Sequence, residues 1–137
     1  MKTELQDHKI NIKLQLSALW TGVMFLYIYG DYFELYVPGK INGLLNGQNM
    51  LDNPGKLFLA TVLLAIPALL IFLNLMLKAN FAKWLNIIWG LFFSVFTLLV
   101  GISSLSAWKT FYVFLAFLES LVTAIIVYKS WNWPKSI

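Results

Sequence analysis

Four apolar blocks, each about as long as a helix that crosses a bilayer, constrain this chain more than any other feature. They cover residues 14–33, 57–77, 84–105 and 111–128. A helix rises about 1.5 Å per residue, so about 20 residues span the roughly 30 Å hydrocarbon core. No block alternates apolar and polar residues as an outer-membrane strand does. The pattern predicts an all-α integral membrane four-helix bundle: a single domain over residues 1–137, with one long outer loop over 37–56. Composition agrees. The chain is 60% hydrophobic and 12% charged, whereas a soluble domain is about a quarter charged.

Charge placement orients the bundle. Lys2, Lys9, Lys13, Lys78, Lys83, Lys129 and Lys135 fall on one side of the four spans, and Lys40, Lys56 and Lys109 on the other. Lysine excess marks the cytoplasmic face, so both termini are expected in the cytoplasm. Lys9 and Lys13 precede the first block as in a signal peptide. Tyr27, Tyr29, Asp31 and Tyr32 then stand where a small-x-small cleavage site would be, so this block is expected to be a retained span. Trp84, Trp108, Trp131 and Trp133 sit at span ends, where an aromatic belt belongs. Asn53-Pro54 reads as an N-cap followed by proline at the first helical position. In the outer loop, Ile41, Leu44 and Leu45 suit a short helix on the membrane surface. The remaining connections are short, so spans two, three and four are expected as antiparallel neighbours.

Several chemistries are excluded or unsupported. The chain has no cysteine, which rules out a thiol nucleophile, a disulfide relay and an iron–sulfur site. Its one histidine, His8, rules out a haem held between two histidines of one chain and leaves no His-rich zinc site. The net charge of +4 comes from ten lysines without arginine, and no basic cluster points to nucleic acid. No nucleophile–base pair, metal cluster or cofactor motif is present. The reading is therefore no enzyme, no catalytic residues, no metal and no cofactor.

Polar residues at helical spacing mark faces turned to protein rather than lipid. Span three carries Asn86, Gly90, Ser94, Thr97, Gly101 and Ser104 on one stripe. That stripe serves either as a close-packing seam or as the wall of a polar pocket. Span one carries Ser17, Thr21, Met24, Tyr27, Asp31 and Glu34. The two acids are three residues apart at the outer end, where a cation or one of Lys40, Lys56 and Lys109 would neutralise them. Gly30 leaves room for a neighbouring helix. Span two contributes Thr61, Ala65, Ala68 and Phe72, with Pro67 near its centre.

Glu119 is the sharpest feature. It stands ten residues from both Lys109 and Lys129, about 15 Å from either, too far for a glutamate to reach a membrane surface. It shares a face with Tyr112, Ala116 and Thr123, and no lysine lies at its depth. The carboxyl is therefore neutral, paired across helices, or facing water inside the bundle. Ser94, Thr97 or a tyrosine is the expected partner if the group is structural.

The segments "HKINIKLQLSALW", "YIYGDYFELYVPGK", "IPALLIFLNLMLK", "WLNII" and "YKSWNWP" resemble an uncharacterised family of small four-span bacterial membrane proteins, a domain of unknown function. The resemblance covers nearly the whole chain, and "YIYGDYF" followed by "VPGK" is its most specific part. It implies a bacterial membrane protein of four helices and brings no activity with it. The resulting expectation is a protein of the bacterial cytoplasmic membrane with a polar pocket inside the bundle. That pocket binds or translocates a small solute, cation or proton around Glu119, with Asp31, Glu34, Tyr27, Ser94, Thr97 and Thr123 as candidate binding residues. The competing expectation is an accessory subunit whose stripes only pack helices or protomers. Expected partners are membrane lipid, a small-molecule or cation ligand, and a second copy of the chain.

Overall fold

The computed structural model describes residues 3–136. Four long helices cross the molecule: α1 (Ile12–Glu34), α3 (Pro54–Met76), α4 (Ala79–Ser103) and α5 (Thr110–Trp131), with the short α2 (Lys40–Leu45) in the loop between α1 and α3. All four are long and apolar enough to span a membrane. The protein is an integral membrane four-helix bundle, as the blocks predict.

Local chemistry sets the helix ends. The Asn11 side chain accepts a hydrogen bond from the Lys13 amide, 2.8 Å, and starts α1. Asn53 caps α3 in the same way through the Lys56 amide, 2.8 Å, with Pro54 as the first helical residue. Gly39 and Gly47 bracket α2 with positive φ angles of 83° and 70°, a backbone region open to glycine. Only Leu77 and Lys78 separate α3 from α4, and a short 3₁₀ turn, Ala107–Lys109, leads into α5.

Helices α1 and α5 run antiparallel. At one end the Lys129 ammonium donates to the Gln15 side chain, 2.8 Å, and at the other Lys109 meets Glu34, 3.1 Å. Lys13 reaches the Leu77 carbonyl in the α3–α4 turn, 2.6 Å. The ends of α1 and α5 nearest the termini therefore share one face with that turn.

Pairing departs from the expected order. α1 packs against α3 and α5, and α5 packs along α4, while α3 and α4 touch little. Large side chains fill the space between α3 and α4 instead. Trp20 of α1 is fully buried, and its indole N–H donates to the Asn86 side-chain oxygen, 2.7 Å. Asn74 of α3 and Asn86 bond each other through both amides. Each also donates to a carbonyl of its own helix: Leu70 at 2.8 Å and Ala82 at 2.6 Å. This network joins α1, α3 and α4. Buried amides in an apolar medium require partners, and each of these has them. Leu16, Val23, Leu70, Phe93 and Ile126 complete the core around Trp20.

Two stripes sit differently from expectation. The protein-facing side of α3 carries Leu63, Ile66, Pro67, Leu70 and Asn74, while Thr61, Ala65 and Phe72 are exposed. Thr61 satisfies its hydroxyl on its own helix, through the Leu57 carbonyl at 2.9 Å, so it needs no neighbour. On α1 the buried line is Leu16, Trp20, Val23 and Gly30, about one residue round from Ser17, Thr21 and Asp31. Large apolar side chains fix the helix rotation there. Ser17 takes a flank position and donates to the Ile71 carbonyl of α3, 2.7 Å.

Candidate functional site

From Gly90 to Gly101 the stripe on α4 faces α5, while Asn86 turns to α1 and α3. Asn86, Gly90, Thr97 and Gly101 are buried, and Phe92, Phe96 and Leu99 point outward. A Cβ at Gly101 would lie 2.8 Å from the Ala116 Cβ, and one at Gly90 would lie 2.7 Å from a Val127 methyl. The two backbones approach so closely because these positions lack side chains. Between them Ser94 and Ser120 bond reciprocally. The Ser94 hydroxyl donates to the Ser120 carbonyl, 3.2 Å, and the Ser120 hydroxyl to the Ser94 carbonyl, 3.0 Å.

Three expected site residues are thereby occupied. Ser94 is held by Ser120. Thr97 donates to the Phe93 carbonyl, 2.7 Å, and Thr123 to the Glu119 carbonyl, 2.8 Å. None of the three bonds the Glu119 carboxyl. Only the Ser94 bonds cross between α4 and α5; those of Thr97 and Thr123 stay within their own helices.

Glu119 is 8% exposed. Among the described residues its carboxyl oxygens have no hydrogen-bond or ion-pair partner; only its backbone carbonyl is bonded, by Thr123. Asp31 and Tyr27 of α1, and Tyr112 about two turns away on α5, are near enough to act on it electrostatically. The Tyr27 hydroxyl is also fully occluded and without a partner. Tyr27 packs its ring on Phe93, centroids 6.1 Å apart. The Ser130 hydroxyl, near the other end of α5, is occluded and without a partner as well.

Toward the α2 end of the bundle is a charged cluster. Glu34 pairs with Lys109 at 3.1 Å and Lys40 at 3.6 Å. Lys109 also lies over the Tyr112 ring, 5.8 Å from its centroid. Asp31 is exposed beside this cluster. Lys56, expected as a third neutralising cation, instead pairs with Asp52 at 2.8 Å. Gly30 packs on Leu115, to which a Cβ would come at 3.6 Å. That is ordinary contact, which brings α1 close to α5 between the charged cluster and Glu119.

Of the expected set, Tyr27, Asp31, Glu34 and Glu119 lie on α1 and α5, which pack together, while Ser94, Thr97 and Thr123 lie on α4 and α5 with their hydroxyls bonded to backbone carbonyls. Tyr112 and Lys109 join the first group. Tyr112 was legible from its seven-residue spacing to Glu119 on one helix face. Asn74 and Ser120 were missed as partners. Both were visible as polar residues within apolar spans, but a sequence does not say which helices face each other.

A model described as "Family of unknown function (DUF6326)" matches residues 3–137. The chain belongs to this family. No curated protein and no solved structure matches the chain. Membership in DUF6326 brings no activity, so function is argued from the site.

Proposed function

We propose that this DUF6326 protein binds a cation in exchange for a proton, and carries it across the membrane, with Glu119 as the binding carboxyl. The observation that supports this is a glutamate, 8% exposed, whose carboxyl has no hydrogen-bond partner among the described residues, on a helix packed against α1, where the Tyr27 hydroxyl is also unpartnered. A glutamate that stayed charged at mid-membrane would cost at least about 2.5–3.5 kcal/mol, so this one requires a proton, a cation or a hydrogen-bond donor. Asn74 and Asn86, in the same core, show full satisfaction. A cation or a proton on Glu119 removes the charge, and the Tyr27 hydroxyl of α1 offers a further oxygen lone pair. Glu34 and Asp31 supply negative charge at the outer mouth, and Lys40 and Lys109 shield part of it. In this reading the membrane is the bacterial cytoplasmic one, both termini lie inside, and the protein carries out no covalent chemistry.

The reciprocal Ser94–Ser120 bonds across the α4–α5 seam favour a second reading, an accessory subunit without ligand. One experiment separates the two. Purified protein in weakly buffered detergent is titrated with sodium, potassium and tetraphenylphosphonium while released protons are measured. The proposal expects a cation-dependent proton release from the parent that Glu119→Gln abolishes, with unfolding unchanged. Equal release, or none from either protein, refutes it and leaves the packing role.

A further inference from the structure

We propose a second binding site, distinct from Glu119, that holds the phosphate headgroup of an anionic phospholipid at the membrane face carrying the chain termini. A groove of about 560 Å³ lies there between the start of α1 and the end of α5. Its walls include Lys9, Ile10, Gln15, Tyr128, Lys129 and Asn132. Two ammonium groups line it, and no carboxylate does. Neither lysine is ion-paired among the described residues, whereas Lys40, Lys56 and Lys109 at the opposite face all are. Lys129 is half-buried and held by the Gln15 side chain, 2.8 Å. That bond takes one of its three N–H donors and fixes its position. Two donors remain for an anion.

The level of the groove favours a lipid over a soluble anion. It sits where two spans end, beside Tyr128 and Trp131, which are 70% and 62% exposed and belong at headgroup depth. Ile10 and Ile12 line the same groove and give acyl carbons an apolar surface next to the lysines. Basic pockets between spans at this level suit phosphate headgroups, at about fivefold in affinity per lysine.

Native mass spectrometry of the detergent-solubilised protein, titrated with phosphatidylglycerol or phosphatidylcholine, tests the site. The first phosphatidylglycerol is expected to bind about thirty-fold more tightly than phosphatidylcholine, from two lysines. The double variant Lys9→Gln/Lys129→Gln should lose that preference, and its glutamine at 129 can still donate to Gln15. Lys9→Gln alone, at an exposed residue outside the bundle core, should lose about fivefold without touching the fold. The charge-matched control Lys78→Gln/Lys135→Gln should keep the preference. Equal loss in the control reduces the effect to general surface charge and overturns the proposal. So does absence of any preference in the parent, or displacement of the lipid by millimolar inorganic phosphate, which would mark a soluble-anion site. Glu119→Gln should leave lipid binding unchanged, so the two sites stand or fall separately.

Discussion

Adding one methyl group at Gly101 tests whether the α4–α5 seam holds the bundle together. In an exposed helix, glycine to alanine gains about 0.8–1.0 kcal/mol, because alanine loses less backbone freedom. At Gly101 the new Cβ would sit 2.8 Å from the Ala116 Cβ, about 1 Å inside carbon–carbon contact. A Cβ cannot rotate away from its own backbone, so the two helices must separate. Overpacking of this kind costs about 1–3 kcal/mol. The sum is a change between neutral and about 2 kcal/mol destabilising for Gly101→Ala, and a larger loss for Gly101→Leu. Gly22 is the control, since a Cβ there meets nothing within 4 Å. Gly22→Ala should stabilise by close to the full propensity gain. Ala116→Gly in the Gly101→Ala background restores the gap from the other side, so the pair should show a favourable coupling of about 1–3 kcal/mol. The assay is reversible unfolding in mixed micelles, followed by helical circular dichroism. If Gly101→Ala stabilises as much as Gly22→Ala, or the pair shows no coupling, the seam is not tightly packed and the reasoning fails.

Three further predictions concern the network, the mouth and the orientation. Asn86→Leu strands the Trp20 indole N–H and the Asn74 amide, and should cost roughly 1–3 kcal/mol, since interhelical bonds in membranes average about 0.6 and reach about 1.7 each. A loss below about 0.5 kcal/mol in the same micelle assay would contradict that. Lys109→Gln should cost less than about 1 kcal/mol, because its pair with Glu34 is partly exposed and shared with Lys40; a larger loss that added salt does not change would show the mouth to be structural. Because the chain has no native cysteine, single introduced cysteines report sidedness cleanly. Asn42→Cys should react with an impermeant maleimide on intact cells, and Lys135→Cys only after permeabilisation; the opposite pattern inverts the topology.

Much of the fold is written locally. Span lengths follow from apolar runs, and the start of α3 from Asn53 and Pro54. Each depends on residues close in sequence, where backbone hydrogen bonding and solvation decide the outcome. The stripe of Gly90, Ser94, Thr97 and Gly101 was legible for the same reason. Small residues at three- and four-residue spacing define one helix face whatever it meets. That Glu119 lies deep was likewise a matter of counting residues at a fixed rise.

What the sequence could not decide was how each helix is turned and which helix it meets. On α1 the polar line and the buried line differ by about one residue, and bulk settled the choice: Trp20 and Leu16 fill the centre, while Ser17 and Asp31 stand to the side. On α3 the small residues Ala65 and Ala68 looked like a packing face, yet the interface takes Leu70, Pro67 and Asn74. In hydrocarbon, apolar residues gain nothing from leaving lipid, so hydrophobicity alone cannot orient a helix. Shape complementarity and interhelical hydrogen bonds must do it, and both need two helices at once. The same reason separates Glu119 from its expected partners. Ser94, Thr97 and Thr123 share its neighbourhood in the sequence pattern. Ser94 is taken up across the α4–α5 seam by Ser120, and Thr97 and Thr123 bond carbonyls of their own helices, so none of the three hydroxyls reaches the carboxyl.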